Sequence, residues 1–464
     1  MKIYNTLTRQ KEEFVPVHPG EARIYSCGPT VYNYFHIGNA RPFIIFDTLR
    51  RYLAWQGYKV TFVQNFTDID DKMINRAREE GVTVKALADR FINEYYIDAD
   101  ALGIQHADIA PRATEHIDDI IALIEKLIAN GHAYAAANGD VYYAVRSKAD
   151  YGKLCGQCLE DLESGARVDV NEDKRDALDF ALWKAQKPGE PAWPSPWGMG
   201  RPGWHVECSA MSMKYLGETF DIHSGGVDLV FPHHENEIAQ SEGATGHPYV
   251  KYWMHNGHIN VDNRKMSKSA GNFFTVRDIA KEFDLTAVRL FMLSAHYRSP
   301  INFSRALIEQ AASALERIRN AGALLERIAK ADGAPNEQEF ALISALPQFK
   351  QRFIDAMDDD LNTADALGVL FDLVREANTV FAPGGSAAGA QQVYDQLEEL
   401  TGVLGLPLKA KEEAVPAELL QMAQQRAEAR KAKNWAEADR LRDAIAAAGY
   451  LLEDTPQGPV LKKQ

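Results

Sequence analysis

Apolar positions along the chain follow two periods. Ala22–Cys27 reads as a short strand, Gly38–Gly57 as a helix with an apolar stripe at Phe43, Phe46, Leu49 and Leu53, and Tyr58–Phe66 as a second strand. This βαβ pattern predicts a parallel sheet whose ligand lies beyond the carboxyl ends of the strands, near the Cys27–Asn39 connection. From about Pro111 the pattern changes. An amphipathic helix with Ile117, Ile120, Ile121, Ile124 and Ile128 precedes a hairpin, HAYAAANGDVYYAV, whose Asn138-Gly139 suits a type I′ turn. The stretch KPGEPAWPSPWGMGRPGW that follows is expected to lack regular structure. The αβ pattern then resumes, with Phe220–Ile222 and Tyr249–His255 as strands around a helix opened by Pro232. After about Phe303 long amphipathic runs predict a helical bundle with APGGSAAGA as a linker between two of its helices. From Leu406 two more helices and a terminal hairpin, YLLEDTPQGPVLKK, are expected. The fold class is therefore α/β: a Rossmann-type parallel sheet with an inserted subdomain, followed by an α-helical bundle and a small C-terminal α+β domain.

Composition excludes several classes. The chain has 464 residues, 46% hydrophobic and 25% charged, which suits a multidomain globular protein with a sizeable core and excludes a disordered or fibrous one. Acidic residues outnumber basic ones by 65 to 51, so a polyanion must be met by a local basic face. Residues 406–464 carry 10 basic and 9 acidic side chains, a net of +1, against 41 and 56, a net of −15, on the rest. The C-terminal segment is thus the least repulsive surface for a nucleic acid. No apolar run is long enough to span a membrane and the start lacks the apolar core of a signal peptide, so a cytoplasmic protein with no membrane partner is expected. Four cysteines, Cys27, Cys155, Cys158 and Cys208, are too few for a disulfide scaffold.

Two motifs carry the chemistry. HIGN, His36–Asn39, joins the first strand to its helix, where N-terminal N–H groups would meet a phosphate, Gly38 would let the backbone approach, and His36 and Asn39 would add donors. KMSKS, Lys265–Ser269, places Lys265 and Lys268 three apart in a polar, loop-like stretch suited to closing on phosphates and stabilising a leaving pyrophosphate. The pair resembles the two signatures of class I aminoacyl-tRNA synthetases, with Asn39 in place of a second histidine. YSCGPTVYNYFHIGN, NFTDIDDK, PGWHVECSAM, DIHSGGVDLVFPHHENEIAQ, YWMHNGHINVDNRKMSKS, DAMDDDLNTADAL and KNWAEADRLRDAI narrow the resemblance to bacterial cysteinyl-tRNA synthetases, over the whole chain.

His233 and Glu237 are four apart in a predicted helix and so share a face, and Cys27 and Cys208 would complete a Cys₂HisGlu set, with His234 and His205 as near rivals. The resemblance assigns one zinc per chain to Cys27, Cys208, His233 and Glu237. Serine differs from cysteine by oxygen for sulfur, a difference that shape alone resolves by only ~10²-fold, whereas zinc takes thiolate well and hydroxyl poorly. Cys155 and Cys158 form a CxxC with no second half, and are read as ordinary thiols.

The same resemblance implies further roles. Gly28, Thr30, Thr67, Trp204 and His223 would line the cysteine pocket, and Gly225, Gly226, Asp228 and His255 would face the ribose and adenine of ATP, with His36, Gly38, Asn39, Lys265 and Lys268 on its phosphates and Mg²⁺ accompanying it. Arg426, Arg430, Lys431 and Lys433, with Trp435 close behind, lie where phosphates and a stacked base would be held, with Arg430, Trp435, Asp439 and Asp454 as tRNA contacts. The implied segments are a first catalytic half (1–110), a connective insertion (111–195), a second catalytic half (196–262), the KMSKS and stem-contact region (263–305), the bundle (306–405) and an anticodon-binding domain (406–464). Expected partners are ATP, L-cysteine and cysteine tRNA, on a monomer. The rivals are a paralogue that passes cysteine to an amino-sugar, which would lack the C-terminal segment, and a non-catalytic zinc-dependent RNA-binding protein, which would not need both lysines.

Overall fold

The computed structural model describes every residue except 158–172, 263, 266–273, 332, 410–416, 433, 456, 457 and 464. It divides into two compact units, Met1–Leu408 and Lys409–Gln464.

The first unit opens with an antiparallel pair, β1 (Lys2–Asn5) and β2 (Gln10–Glu13). Its central sheet is four-stranded and all parallel, in the order β10 (Val250–Asn256), β9 (Phe220–Gly226), β3 (Glu21–Ser26), β4 (Lys59–Gln64). Helix α1 (Ile37–Trp55) makes the crossover from β3 to β4, and Phe43, Phe46, Leu49 and Leu53 are all buried in one core with Ile24 and Ile222 of the sheet. The expected βαβ unit is thus present, one or two residues from its predicted ends.

The insertion departs from expectation at two points. Its four-stranded antiparallel sheet runs β5 (Ala133–Ala135), β6 (Val141–Tyr143), β7 (Phe180–Ala185), β8 (Gly200–Pro202). Between β5 and β6 the Gly139 N–H bonds the Ala136 carbonyl (3.1 Å). Gly139 is left-handed (φ 90°) and Asn138 is not. That is a type I turn closed by a glycine in a five-residue loop, and not the type I′ turn that Asn-Gly suggests. The Pro- and Gly-rich stretch also holds regular structure, because β8 is an edge strand, where Pro202 forfeits no ladder bond on its outer side.

A third small sheet, in the order β12 (Arg264–Lys265), β11 (Ile259–Val261), β13 (Ile301–Phe303), follows the catalytic half. Lys265 therefore belongs to a strand, paired with Asn260, and not to a loop. The bundle comprises Arg305–Ala329, Glu337–Asp358, Thr363–Phe381 and Ala387–Val403. The second part of the predicted linker, residues 387–390, is the last helix's first turn: Ser386 caps it, accepting the Gly389 N–H (3.0 Å), while buried Glu339 accepts the Ser386 N–H.

The first strand is held by residues far along the chain. The Tyr4 N–H donates to Asp360 Oδ1 (2.8 Å), and the Asp360 N–H returns to the Lys2 carbonyl (3.0 Å). Asp360 and Leu361 adopt left-handed backbone at this junction (φ 63° and 52°). Asp360 also receives Tyr297 Oη–H (2.8 Å) and Arg298 Nε–H (2.7 Å). On its other side β1 meets β10, through Asn5 Nδ2–H to the Lys251 carbonyl (2.9 Å).

The second unit has helices Ala417–Lys431 and Trp435–Ala447 and the hairpin β14 (Tyr450–Thr455) with β15 (Gly458–Lys463), around Leu419, Ala423, Ile445 and Tyr450. No helix among the described residues is long and apolar enough to cross a membrane.

Candidate active site and metal centre

The carboxyl ends of β3 and β9 bring the chemistry together. Cys27 follows β3 directly, its N–H bonded to the Ser224 carbonyl of β9 (3.2 Å). Cys208 lies on the helix Trp204–Leu216 and Glu237 on the helix Glu235–Thr245. His233 is in the turn before that helix, which starts at Glu235 and not at Pro232; the Phe231–Pro232 bond is cis. The four-residue spacing still works, for the turn leads straight into the helix and sets His233 Nε2 3.1 Å from Glu237 Oε1. One ligand atom from each of Cys27, Cys208, His233 and Glu237 lies within 4.8 Å of all the others, and all four are buried.

The two rival histidines take different places. His205 bonds His233 Nδ1 through its own Nδ1 (2.9 Å), which fixes the His233 ring and leaves Nε2 facing Glu237. His234 presents Nε2 to Cys27 Sγ (3.3 Å) and belongs to a second, overlapping group with Cys27, His223 and Glu237. Its Nδ1 bonds His255 Nε2 (2.7 Å), and His255 Nδ1 bonds Thr6 Oγ1 (2.8 Å). Both ring nitrogens of His255 are therefore engaged within the protein, and its ring is buried against Trp253 and His234.

Burial pushes the Cys27 thiol well above its ordinary value, helped by Cys208 and Glu237. At Cys208 the hydrogen bond with Cys27 is the largest single influence and works downward, but desolvation together with the charges of Glu237 and Glu207 leaves the thiol raised. Burial holds His233 and His234 well below the usual imidazole range. Two sulfurs, a neutral imidazole nitrogen and a carboxylate, converging in a dry site, form a donor set that suits a tetrahedral, borderline-soft divalent cation.

The pocket residues surround this cluster unevenly. Gly28 donates its N–H to Asn65 Oδ1 (2.9 Å), and a Cβ built on it would lie 1.6 Å from the Asn65 carbonyl oxygen. Thr30 and Thr67 form a bridge between the two connecting loops. Thr67 is buried and donates to Glu207 Oε2 (3.0 Å). Trp204 is 42% exposed and stacks on His233, with ring centroids 4.3 Å apart. His223 is fully buried, bonds Glu237 Oε2 (2.8 Å) and stacks on Trp253. Gly225 and Gly226 end β9, and Asp228 is exposed just after it. Glu207 is a buried carboxyl that the sequence reading missed; it stands beside Cys208, but nothing in its spacing points to Thr67.

His36 caps α1 without a side-chain capping bond, and Gly38 and Asn39 form its half-buried first turn. This turn is tied to the segment after KMSKS: Ile37 N–H donates to the Phe274 carbonyl (3.1 Å), Val276 N–H to the Phe35 carbonyl (3.2 Å), and His36 pairs with Thr275. Lys268 lies outside the described residues, and of Lys265 only the backbone is described.

Cys155 donates its N–H to Glu235 Oε2 (2.9 Å), burial pushes its thiol up to about 11, and it joins no metal-capable group among the described residues. Cys158 lies outside them. In the second unit Arg430, Trp435 and Asp439 are exposed, and Asp439 pairs with Arg442 (3.2 Å). Arg426 is buried, so it does not belong to a phosphate-facing stripe, and Trp435 opens a new helix capped by Asn434. The side chains of Lys431 and Asp454, and all of Lys433, are outside the described set.

Known proteins match throughout. Residues 13–313 fit the family model "tRNA synthetases class I (C) catalytic domain", residues 352–409 the DALR domain, and residues 413–458 the "Cysteinyl-tRNA ligase anticodon binding domain". A cysteine–tRNA ligase of Symbiobacterium thermophilum is 58% identical over 99% of this chain and 98% of its own length. One of Caldicellulosiruptor saccharolyticus is 57% identical over 100% of both chains. The fold is similar to the methionyl-tRNA synthetase of Mycobacterium tuberculosis (TM-score 0.60, 17% identity, 83% of this chain and 90% of that one). It is also similar to the Thermus thermophilus arginyl-tRNA synthetase (TM-score 0.55, 14% identity, 87% and 84%).

Proposed function

The chain belongs to the cysteine–tRNA ligases, class I aminoacyl-tRNA synthetases that use ATP to join cysteine to its tRNA, and from that premise we propose how its residues divide the work. The observation that carries the proposal is the buried group Cys27, Cys208, His233 and Glu237 at the carboxyl ends of β3 and β9. These four would hold zinc, which when bound supplies a centre that takes thiolate and refuses hydroxyl. His205 fixes the ring of His233 and His223 fixes the carboxylate of Glu237, so two of the donors are oriented before any ligand arrives. Gly28, Thr30 and Thr67 shape the floor for the rest of the amino acid, and Trp204 covers its side.

His36, Gly38 and Asn39 receive the ATP phosphates at the N-terminus of α1, with Mg²⁺ accompanying the nucleotide. Gly226, Asp228 and His255 border its ribose and base. Lys265 and Lys268 stabilise the charge that develops on pyrophosphate as the cysteine carboxylate displaces it in line. The protein supplies position and charge, with no side-chain nucleophile. The terminal ribose hydroxyl of the tRNA then attacks the activated carbonyl. The monomeric state and the cytoplasmic location belong to this proposal, supported by the family and by the lack of a membrane-spanning helix among the described residues.

Cysteine-dependent ATP–pyrophosphate exchange, with serine as competitor, tests the zinc assignment. Cysteine is expected to drive exchange with a kcat/KM exceeding that of serine by far more than the ~10²-fold that pocket shape alone provides. A ratio at or below that value would remove zinc from the selection step. The second unit is tested separately. Trp435→Ala is expected to lower kcat/KM for tRNA in aminoacylation by about tenfold, the loss of one stacked base, with exchange unchanged.

A further inference from the structure

Arg41 lies on α1 five residues beyond His36, about 7 Å further along the helix axis. It is fully buried, and no carboxylate among the described residues is hydrogen-bonded to it. Nη1 donates to the carbonyls of Gly257 (2.8 Å) and His258 (3.0 Å), and Nη2 to those of Ser299 (2.6 Å) and His296 (3.4 Å). Nε finds no partner. A buried charge answered only by main-chain carbonyls is a costly arrangement for mere packing, where an apolar side chain would serve.

The four carbonyls come from two segments, and each segment leads into the small sheet. Residues 257 and 258 run into β11, and residues 296–299 run into β13. The segments are in close contact: the Gly257 N–H bonds the Tyr297 carbonyl (2.9 Å), and a Cβ at 257 would meet the Arg298 carbonyl oxygen at 2.7 Å. Asp360 holds Tyr297 and Arg298 from the other side. β11 in turn pairs with β12, which carries Lys265. α1 thus grips the KMSKS segment at both ends, by Arg41 at the root of its strands and by the 35–37 turn at residues 274–276.

We propose that Arg41 is a positioning residue for adenylate formation: its guanidinium sets the root of the KMSKS strands at a fixed distance from the phosphate-binding turn on the same helix. The inference rests on the reading that Lys265 and Lys268 act on the ATP phosphates. A planar fork can reach carbonyls on two segments at once, which the compact ammonium of lysine cannot reproduce.

Full-length zinc-loaded protein is compared with Arg41→Met, Arg41→Lys and, as a reference, Lys268→Ala. Arg41→Met is expected to lower kcat for pyrophosphate exchange by about 10²-fold, as a misplacement near 1 Å would, with Arg41→Lys in between. KM for cysteine and bound zinc stay as in the parent. So does the thiolate-to-metal absorption band that cysteine induces in cobalt(II)-substituted protein. If Arg41→Met does not fold, Arg41→Lys carries the same comparison. Parental exchange in the Arg41 variants while Lys268→Ala has lost it overturns the role of Arg41 alone. Parental exchange in Lys268→Ala as well overturns the reading of the lysines with it. A fall in which kcat, bound zinc and the cobalt band decline together assigns Arg41 to general stability and overturns the proposal.

Discussion

Cys208→Ser is expected to leave a folded protein that loses its zinc to a mild chelator and activates cysteine about 10³-fold more slowly, equivalent to about 4 kcal/mol. The substitution exchanges one atom, sulfur for oxygen, on a residue 2% exposed, so packing on the helix Trp204–Leu216 is nearly conserved. What changes is the donor: a hydroxyl binds zinc poorly, and Cys27, His233 and Glu237 are left as a three-residue set. Burial already holds the Cys27 thiol in its protonated form when no cation is present. A site short of one thiolate therefore has less to offer the metal for the protons it must release. Zinc content by elemental analysis and exchange kinetics on the same sample check the result. Full zinc with lost activity would move Cys208 from metal binding to catalysis, and full zinc with full activity would remove it from the centre.

Gly28→Ala is the second large effect, and its cause is steric. The added methyl would lie 1.6 Å from the carbonyl oxygen of Asn65 and 2.7 Å from its carbonyl carbon. Neither atom can rotate away, because both are backbone in the loop after β4. The two loops would have to part, breaking the Gly28 N–H bond to Asn65 Oδ1 and the bridge between Thr30 and Thr67. Overpacking of this kind costs about 3 kcal/mol. Since Cys27 is the adjacent residue, the same displacement reaches the group Cys27, Cys208, His233 and Glu237, and exchange is expected to fall by more than about 10²-fold. Thermal unfolding and exchange kinetics are the readouts. A parental melting temperature would show that the loops part freely, and parental exchange would show that the pocket does not depend on their contact.

The parts of the fold that the sequence made legible are those governed by local periodicity. The stripe Phe43, Phe46, Leu49 and Leu53 announces α1, and the apolar runs on either side announce two parallel strands, since each signal lies within a few residues of itself. The metal-capable quartet Cys27, Cys208, His233 and Glu237 was legible only through resemblance. His233 and Glu237 have the right spacing, but nothing in a sequence shows Cys27 and Cys208 arriving at the same point from two other elements. The misreadings share one physical origin, tertiary context overriding a local rule. Asn138-Gly139 prefers one turn in a two-residue loop and takes another in a five-residue loop. Pro202 reads as a strand breaker, yet β8 is an edge where a missing N–H is harmless. Pro232 reads as a helix start, yet the helix waits until Glu235. Arg41 and Glu207 were invisible for the complementary reason. In sequence each is an ordinary charged residue of a helix, and its partners, carbonyls at 257–299 for one and Thr67 for the other, are defined only once the chain has folded.

The hold of Asp360 on the first strand has a consequence for the order of events during synthesis. Tyr4 and Asp360 are 356 residues apart in the chain. At roughly 5–20 residues per second, β1 leaves the ribosome about 20–70 s before its anchor exists. The parallel sheet, all of whose strands precede residue 257, can assemble in that interval with β1 beside β10, but the free side of β1 has no anchor until the junction of the second and third bundle helices has been made. The bundle therefore adds its hold on β1 late in the life of the nascent chain, and a ribosome stalled before residue 360 would carry a nearly complete catalytic sheet whose first strand is held by β2 and β10 alone.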